Sequence, residues 1–426
     1  MLIVVNYVLT NIVSGVAHLL QVEGARRGYY DAQVWLEAGQ LEEIVIIQAI
    51  GLIAVCCGAA WGLPKNGLEP TRVVGAKTLT SNDRKMVAPI LFVLIPVSAW
   101  ASYKINSYVA TLDTERVIAV SGGMARYSYM SHWLVWAISL LVLYFAASHS
   151  DNVGTWPAIA LGLGVVAIAA SLQWNGGRSI IVVMTLPLIL VILPRLHGAR
   201  FLAIPLGLFV AAVYMVQLTA ERSARFQSGS AGFVEWVDWQ WGRFSMLGFA
   251  QQHADEGGFL FGETILAGIT QFLDGVFRLV GLAGFDTEWQ SSANVAAESL
   301  LRSGTDIYIV PGMSAELFMN FGVVGIICGY FVIGRACGWV DARFANSSTL
   351  ITQLAWAYIG TLLVFRTIPV DTASAYSYLT FSGAPLLGIA LLSYWRNKPD
   401  LGDSEYASPK QRQSSRLPAL QPASRK

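Results

Sequence analysis

The chain has 426 residues, of which 54% are hydrophobic and only 13% are charged, and its mean hydropathy is +0.52. Soluble domains contain roughly a quarter of charged residues, so this composition excludes an ordinary soluble protein and indicates a polytopic membrane protein. The formal net charge of +1 does not indicate a class of partner, and no basic block suggests nucleic-acid binding. All four cysteines lie in apolar segments, which argues against a disulfide framework or a metal cluster.

The hydropathy pattern predicts an all-α protein with about ten transmembrane helices, since one crossing takes about 20 mostly apolar residues. The predicted spans cover residues 1–20, 44–63, 87–103, 131–148, 155–173, 179–193, 201–219, 314–334, 350–365 and 375–395. The first span lacks a basic start and a cleavage site, so we interpret it as a membrane helix rather than a removed signal peptide. We expect one membrane domain over residues 1–395, followed by a polar, disordered tail over residues 396–426.

Lysine and arginine residues are concentrated in a few segments, and this bias predicts the orientation of the chain. With ten spans, loops 64–86, 194–200 and 335–349 and the tail all fall on one side. That side is predicted to be cytoplasmic, with both termini inside. The opposite side carries a loop over residues 220–313 that is too long to be a simple connector. Part of this loop, residues 261–282, has the periodicity of an amphipathic helix lying in the membrane interface.

The outer side is rich in arginine and carries a single lysine, Lys104. If these charges only set the topology, lysine and arginine would serve equally well. Only the planar guanidinium of arginine binds phosphate through two parallel hydrogen bonds. The outer arginines are Arg26, Arg27, Arg116, Arg126, Arg178, Arg222, Arg225, Arg243, Arg278, Arg302 and Arg366. Arg178 follows an Asn-Gly-Gly turn and begins a helix, which favours an anion there. The alternative for each arginine is contact with lipid phosphates or with loop carboxylates such as Glu221 and Glu235.

The segment PGMSAELFMNFGVVGIICGY, residues 311–330, begins like a loop and ends like a membrane helix. Ser314 is the predicted N-cap, which places Glu316 in the first helical turn and Asn320 one turn further on the same face. Glu316 is either a general base, an arginine partner, or a carboxylate stabilised only by the helix dipole, worth about 0.3–1 kcal/mol. Asn320 either binds a sugar hydroxyl or links helices. The following glycines predict close helix packing.

Histidines and short motifs add little to the prediction. His18, His132, His149 and His197 fall in or beside spans and are expected to lack partners, while His253 lies in the large loop beside Asp255 and Glu256. The chain contains no nucleotide-binding or metal-protease motif, so we expect no cofactor and no metal.

Four stretches resemble the O-antigen polymerase (Wzy-type) family, also called oligosaccharide repeat unit polymerases. GGRSIIVVMTLPLILVILPRL is similar to the arginine-led helix of that family, and WGRFSML to the arginine-phenylalanine element of its outer loop. GMSAELFMNFGVVGIICGY is similar to the motif that closes this loop, and SGGMARYSYM shares the family's character. The order of these elements matches over most of the chain.

The resemblance implies a metal-independent glycosyltransferase of the cytoplasmic (inner) membrane that builds O-antigen, capsule or exopolysaccharide. Its substrates would be undecaprenyl-diphosphate-linked glycans within the membrane lipid, with a chain-length regulator and a flippase as expected partners. Arg178 and Arg243 are the predicted diphosphate ligands and Glu316 the base or arginine partner. The predicted substrate-binding residues are Asn320, Arg225, Arg302 and Arg366.

Two other functions remain open at the level of sequence. An O-antigen ligase uses the same donor and depends on a histidine in the outer loop, so His253 distinguishes it. A lipid-linked oligosaccharide flippase should carry ionisable groups near the bilayer midplane and often has repeated halves. The unusual polar residues collect here on the outer side, which favours an enzyme.

Overall fold

A computed structural model describes residues 2–20, 38–63, 79–110, 124–148, 156–172, 178–192, 243–279, 289–301 and 310–397. Within these ranges the chain is helical and contains no strand. The helices run over Leu2–Asn11, Val13–Leu19, Ala38–Gly62, Ser81–Ala110, Ala125–Ser131, Trp133–Ser148, Trp156–Ser171, Arg178–Ile192, Phe244–Gly257, Glu263–Leu279, Ser292–Leu301, Gly312–Ala345, Leu350–Leu362, Thr372–Ser377 and Ala384–Arg396, with π-helical turns over Leu363–Thr367 and Tyr378–Ser382.

The protein is an all-α membrane protein, because several of these helices are long and apolar enough to cross a bilayer. Five meet this condition, namely Gly39–Gly62, Ser81–Tyr108, Arg126–Ala146, Gly312–Ala345 and Leu350–Thr367. A sixth crossing results if Thr372–Ser382 and Ala384–Arg396, which meet at 59°, form one broken span. The predicted count of ten is not confirmed, and the predicted span over residues 201–219 lies outside the described residues, as does the tail beyond residue 397.

The third predicted span begins earlier than its hydropathy suggests, because a polar pair caps it. The Asp83 N–H donates to Thr80 Oγ1 at 3.0 Å, and the Thr80 N–H donates to Asp83 Oδ2 at 3.3 Å. This reciprocal pair satisfies free N–H groups of the first turn. The helix Ser81–Ala110 therefore extends beyond the predicted residues 87–103 at both ends.

The described helices pack around two hydrophobic clusters that meet at the turn Leu363–Thr367. One cluster joins the helices of residues 81–192 to the last two apolar helices of the chain. The other joins the N-terminal helices, Phe244–Gly257 and Gly312–Ala345. Phe365 packs against both clusters, so the turn that carries it lies at their junction.

The long helix Gly312–Ala345 reverses direction at Gly322. This residue has φ 61° and ψ −149°, a conformation that is essentially restricted to glycine. The hydroxyls of Ser314 and Tyr330, 16 residues apart, lie 2.6 Å from each other. In a continuous helix these residues would be separated by about 24 Å. The two parts of the helix therefore fold back on each other.

Residues 312–321 form a short helix, here named the re-entrant helix, that packs antiparallel against residues 323–345. A Cβ built on Gly329 would lie 2.5 Å from Leu317 Cδ2, so the glycine makes this fold-back possible. The crossing predicted over residues 314–334 is present, but it begins after Gly322 instead of at Ser314. The remaining part, residues 323–345, is still longer than the roughly 20 residues that one crossing takes.

The later glycines of this span pack against the helix Ala38–Gly62, as the sequence predicts. A Cβ on Gly334 would clash with the carbonyl oxygen of Val55, and one on Gly338 would lie 2.7 Å from that of Ala59. Backbones can approach this closely only where side chains are absent. The span is thereby held at a fixed position, from which the re-entrant helix projects back into the protein.

Candidate functional site

Glu316 of the re-entrant helix lies at the centre of a buried hydrogen-bond network, and its side chain is completely buried. Its Oε2 accepts a hydrogen bond from the Thr372 N–H at 2.8 Å, and its Oε1 accepts one from the Thr372 hydroxyl at 2.5 Å. The Thr264 hydroxyl donates to the same Oε1 at 3.3 Å. These three donors satisfy the oxygen atoms of the buried carboxyl group. Glu316 thus joins the re-entrant helix to two other segments.

Asn320 lies one turn after Glu316 on the same face and completes the network. Its Nδ2 donates to Thr264 Oγ1 and to the carbonyl oxygen of Glu316, both at 2.7 Å. Its Oδ1 accepts from the Gly262 N–H at 2.7 Å. The backbone N–H groups of the two residues before Gly262 bind carbonyl oxygens at the end of the re-entrant helix, at 2.9 and 3.1 Å. Asn320 therefore links this helix to the start of Glu263–Leu279.

The amphipathic helix predicted in the large loop is present over Glu263–Leu279. Thr264, Ala267 and Gly268 are buried on its inner side. A Cβ on Gly268 would lie 2.8 Å from the Cα of Ala373, so this helix packs closely against Thr372–Ser377. The short helix, the loop helix and the re-entrant helix therefore meet around Glu316.

A second carboxylate, Asp371, lies immediately before the residue that binds Glu316. It is completely buried, and its Oδ1 accepts from the Ser374 N–H at 2.8 Å, which makes it the N-cap of Thr372–Ser377. Asp371 is close enough to Glu316 for the two carboxylates to interact electrostatically. Two buried carboxylates so close together are costly in an apolar protein, which is typical of a functional site rather than of packing.

Arg366 is carried by the π-helical turn Leu363–Thr367, five residues before Asp371. Its guanidinium lies 4.2 Å from the ring centre of Tyr378, which belongs to the second π-helical turn. Tyr378 in turn stacks on His132, with ring centres 5.6 Å apart and planes inclined by 18°. Isolated π-helical turns are frequent at functional sites. The two turns here orient an arginine through a stack of three planar groups.

His132 is the buried end of this stack. It is completely buried, and its Nδ1 lies 2.8 Å from Ser382 Oγ. The expectation that His132 lacks a partner is therefore wrong. Hydropathy could not reveal this contact, because Ser382 is distant in sequence.

Arg243 lies at the other end of the re-entrant helix and directly precedes Phe244–Gly257. The backbone N–H of Arg243 donates to the carbonyl oxygen of Thr10 at 3.0 Å. A Cβ on Gly312 would lie 3.1 Å from Arg243 Cβ and 3.2 Å from its Cγ, and Gly312 has φ 80°. The stem of the arginine thus packs against the glycine that starts the re-entrant helix. The next residue, Met313, donates its N–H to the carbonyl oxygen of Ile368 at 3.0 Å.

The structure brings together four of the predicted site residues: Glu316, Asn320, Arg243 and Arg366. All four lie on or beside the re-entrant helix and the segment of residues 366–372. The helix Arg178–Ile192 begins at Arg178, as predicted, but the side chain of Arg178 lies outside the described part of the chain. Arg225 and Arg302 also lie outside it.

The predicted N-cap of the re-entrant helix is wrong. The helix begins at Gly312 with Pro311 at the cap position, so Glu316 lies beyond the first turn. Ser314 instead points to the opposite side, where its hydroxyl contacts Asn11 Oδ1 at 3.1 Å and Gln48 Oε1 at 3.0 Å.

Sequence reasoning missed the residues that bind Glu316. Thr264 and Thr372 are separated from it by 52 and 56 residues, and a lone threonine carries no signal of such a contact. Asp371-Thr372 before a helical segment is a recognisable cap pattern, and it could have drawn attention to Asp371.

His253 lines a cavity of about 260 Å³ in the loop part of the protein. Thr264 lines the same cavity, so one residue separates this space from Glu316. Among the residues that the structure describes, no group of three His, Cys, Asp or Glu side chains is placed to hold a metal ion. Comparison of the chain with protein-family models, curated proteins and solved structures found no match.

Proposed function

We propose that the protein is a glycosyltransferase that polymerises undecaprenyl-diphosphate-linked oligosaccharide repeat units into O-antigen, capsule or exopolysaccharide. In this proposal it crosses the inner membrane about ten times, with both termini in the cytoplasm and residues 220–313 on the outer face. A chain-length regulator and a flippase are the expected partners. The observation that carries the proposal is the buried pair Glu316 and Asp371, held beside a segment that also bears Arg366.

The reaction is a displacement at the first sugar of the donor chain. The acceptor hydroxyl oxygen attacks the anomeric carbon, the bond from that carbon to the diphosphate oxygen breaks, and the lipid diphosphate leaves with the electron pair. The hydroxyl proton passes to a carboxylate of the site. In the proposal, Arg243 and Arg366 stabilise the negative charge that develops on the diphosphate. Arg178, Arg225 and Arg302 are proposed to stabilise the same charge.

The contacts favour positioning roles for Glu316 and Asn320. Every polar atom of the Asn320 amide binds another part of the chain, which supports the helix-linking alternative rather than a sugar contact. Glu316 is buried and accepts three hydrogen bonds from Thr264 and Thr372. We infer that it fixes residues 366–372 and thereby places Arg366 and Asp371.

An O-antigen ligase is the second candidate, because His253 lines a cavity that also touches Thr264. A ligase would use the same lipid-diphosphate donor and would need this histidine for its reaction. A His253→Ala variant that leaves no capped core at a normal protein level supports the ligase. A variant that retains polymerisation supports the polymerase.

The decisive experiment is deletion of the gene followed by gel analysis of surface polysaccharide. Loss of a polymerase leaves single-repeat products, loss of a ligase leaves no capped core, and loss of a flippase leaves repeat units inside the cell. The deletion strain is then complemented with Arg178→Ala and Arg243→Ala variants. Long-chain polymer from both variants at normal protein level would reject the proposal.

A further inference from the structure

The cavity beside the Glu316 network is formed by three elements of the large loop. Phe244–Gly257 contributes His253, Glu263–Leu279 contributes Glu263 and Thr264, and the segment that includes Ser292–Leu301 contributes Gln290, Glu298 and Ser299. Two apolar side chains complete the lining. Its volume of about 260 Å³ lies below the roughly 300–1,000 Å³ of pockets for drug-sized molecules. It therefore suits one sugar ring rather than an oligosaccharide.

Thr264 forms the wall between this cavity and the buried carboxylates. It lines the cavity, yet it is almost fully buried, and its hydroxyl is part of the network of Glu316 and Asn320. Thr372, at the end of the segment of residues 366–372, binds the same carboxylate. A molecule in the cavity is thus one residue away from the site proposed for the reaction.

The chemistry of the lining selects the class of ligand. Carboxylate, amide, hydroxyl and imidazole groups together accept and donate hydrogen bonds, as a molecule with several hydroxyls requires. Two of the groups, Glu263 and Glu298, are carboxylates, and no lysine or arginine lines the cavity among the residues that the structure describes. A phosphate or an acidic sugar would be repelled there, whereas a neutral or amine-bearing sugar would not.

We propose that this cavity binds the sugar of the incoming repeat unit that supplies the acceptor hydroxyl, and that it selects a neutral or amine-bearing sugar over an acidic one. The inference rests on the proposed polymerase function, and it adds that the donor and the acceptor bind in different parts of the site. The diphosphate of the donor lies among the arginines beside the re-entrant helix, and the acceptor sugar enters from the cavity on the other side of Thr264.

The proposal is tested by direct binding to the full-length protein in lipid nanodiscs. The probes are the methyl glycosides of glucose, glucosamine and glucuronic acid, and saturation-transfer NMR measures their binding. We expect the glucosamine and glucose probes to bind and the glucuronic acid probe to bind more weakly. Equal or tighter binding of the glucuronic acid probe would overturn the inference.

Substitutions of the residues that line the cavity show where the sugar probes bind. Glu298→Gln and Glu263→Gln each reduce the preference for the glucosamine probe over the glucuronic acid probe, by about two- to fivefold as expected for an exposed charge. Ser299→Trp fills the cavity and abolishes binding of all probes. Asp255→Asn is the matched control, because Asp255 lies on the same helix as His253 but does not line the cavity. Unchanged binding in Ser299→Trp would reject this cavity as the binding site.

These measurements separate the cavity from the polymerase proposal, because single-sugar binding does not require polymerisation. If the deletion strain shows no polymerase phenotype while Ser299→Trp abolishes sugar binding, the polymerase proposal fails and the sugar site remains. If Arg243→Ala abolishes polymer while Ser299→Trp leaves probe binding intact, the cavity proposal fails by itself.

Discussion

The re-entrant helix has two polar faces, and they differ in both charge and partners. On one face, Ser314 contacts Asn11, Gln48 and Tyr330, all of which are neutral groups on the N-terminal helices or the adjoining span. On the other, Glu316 and Asn320 bind Thr264 and Thr372, which belong to the loop helix and to the turn after Arg366.

The difference separates packing from chemistry within one short helix. Hydrogen bonds between neutral side chains link membrane helices at modest energetic cost, because no charge is taken out of water. A buried carboxylate costs much more and is retained where function requires it. The neutral face therefore anchors the re-entrant helix, and the charged face organises the proposed site. Four predictions test this division.

The largest effect is expected from Glu316→Ala. Removal of the carboxylate frees Thr372 and the arginine-bearing segment, so polymer formation should fall by about 10²–10³-fold, as on loss of one electrostatic contact in an active site. This fall in polymer formation is measured on gels of the polysaccharide from the complemented deletion strain. Added formate should not restore activity if Glu316 positions Arg366, whereas rescue by formate would identify Glu316 as the base. Ser314→Ala is the matched control on the same helix, and it should retain polymer.

A smaller loss is expected from Arg366→Lys. The substitution keeps the charge but removes the planar group that stacks on Tyr378 and the fork that binds a phosphate through two bonds. Polymer formation should fall by about ten- to a hundredfold. Arg343→Lys is the control, because the Arg343 guanidinium also lies over an aromatic ring, 5.4 Å from the ring centre of Trp339, but in the last turn of the span, at the end opposite to Gly322. Equal effects of the two variants would contradict a specific role for Arg366.

Gly322→Ala tests the fold-back that creates both faces. Only glycine readily adopts φ 61° and ψ −149°, and an added Cβ would lie 3.0 Å from Phe259 Cζ. We expect a loss of about 1–3 kcal/mol in the free energy of unfolding, measured by denaturation in detergent. Gly388→Ala is the control, since Gly388 is helical and a Cβ there meets no atom within 4 Å. A Gly322→Ala variant as stable as the wild type would be incompatible with the reversal at this residue.

The smallest effect is expected from Ser314→Ala. The hydroxyl joins three helices through neutral hydrogen bonds, and such bonds between membrane helices are worth about 0.6 kcal/mol on average. The free energy of unfolding should fall by about that amount, while the activity per folded molecule stays unchanged. Tyr330→Phe removes one of the three contacts of this hydroxyl and should give a similar or smaller loss. A large drop in activity at constant stability would place the neutral face in the chemistry.

Composition and hydropathy determined that this is an all-α membrane protein, because the cost of apolar surface in water and of charge in lipid acts on each segment separately. The local pattern also located the loop helix Glu263–Leu279, the helix that begins at Arg178, and the segment with Glu316 and Asn320. Each of these can be recognised from neighbours a few residues away.

Only the tertiary structure decided how these segments meet. The sequence contains several glycines after Asn320, and only their packing distinguishes Gly322, where the chain reverses, from Gly334 and Gly338, where helices approach closely. The partners of Glu316 come from positions more than fifty residues away on either side. A buried carboxylate needs donors from whichever segments pack around it, so its environment is set by the folded arrangement and not by local sequence.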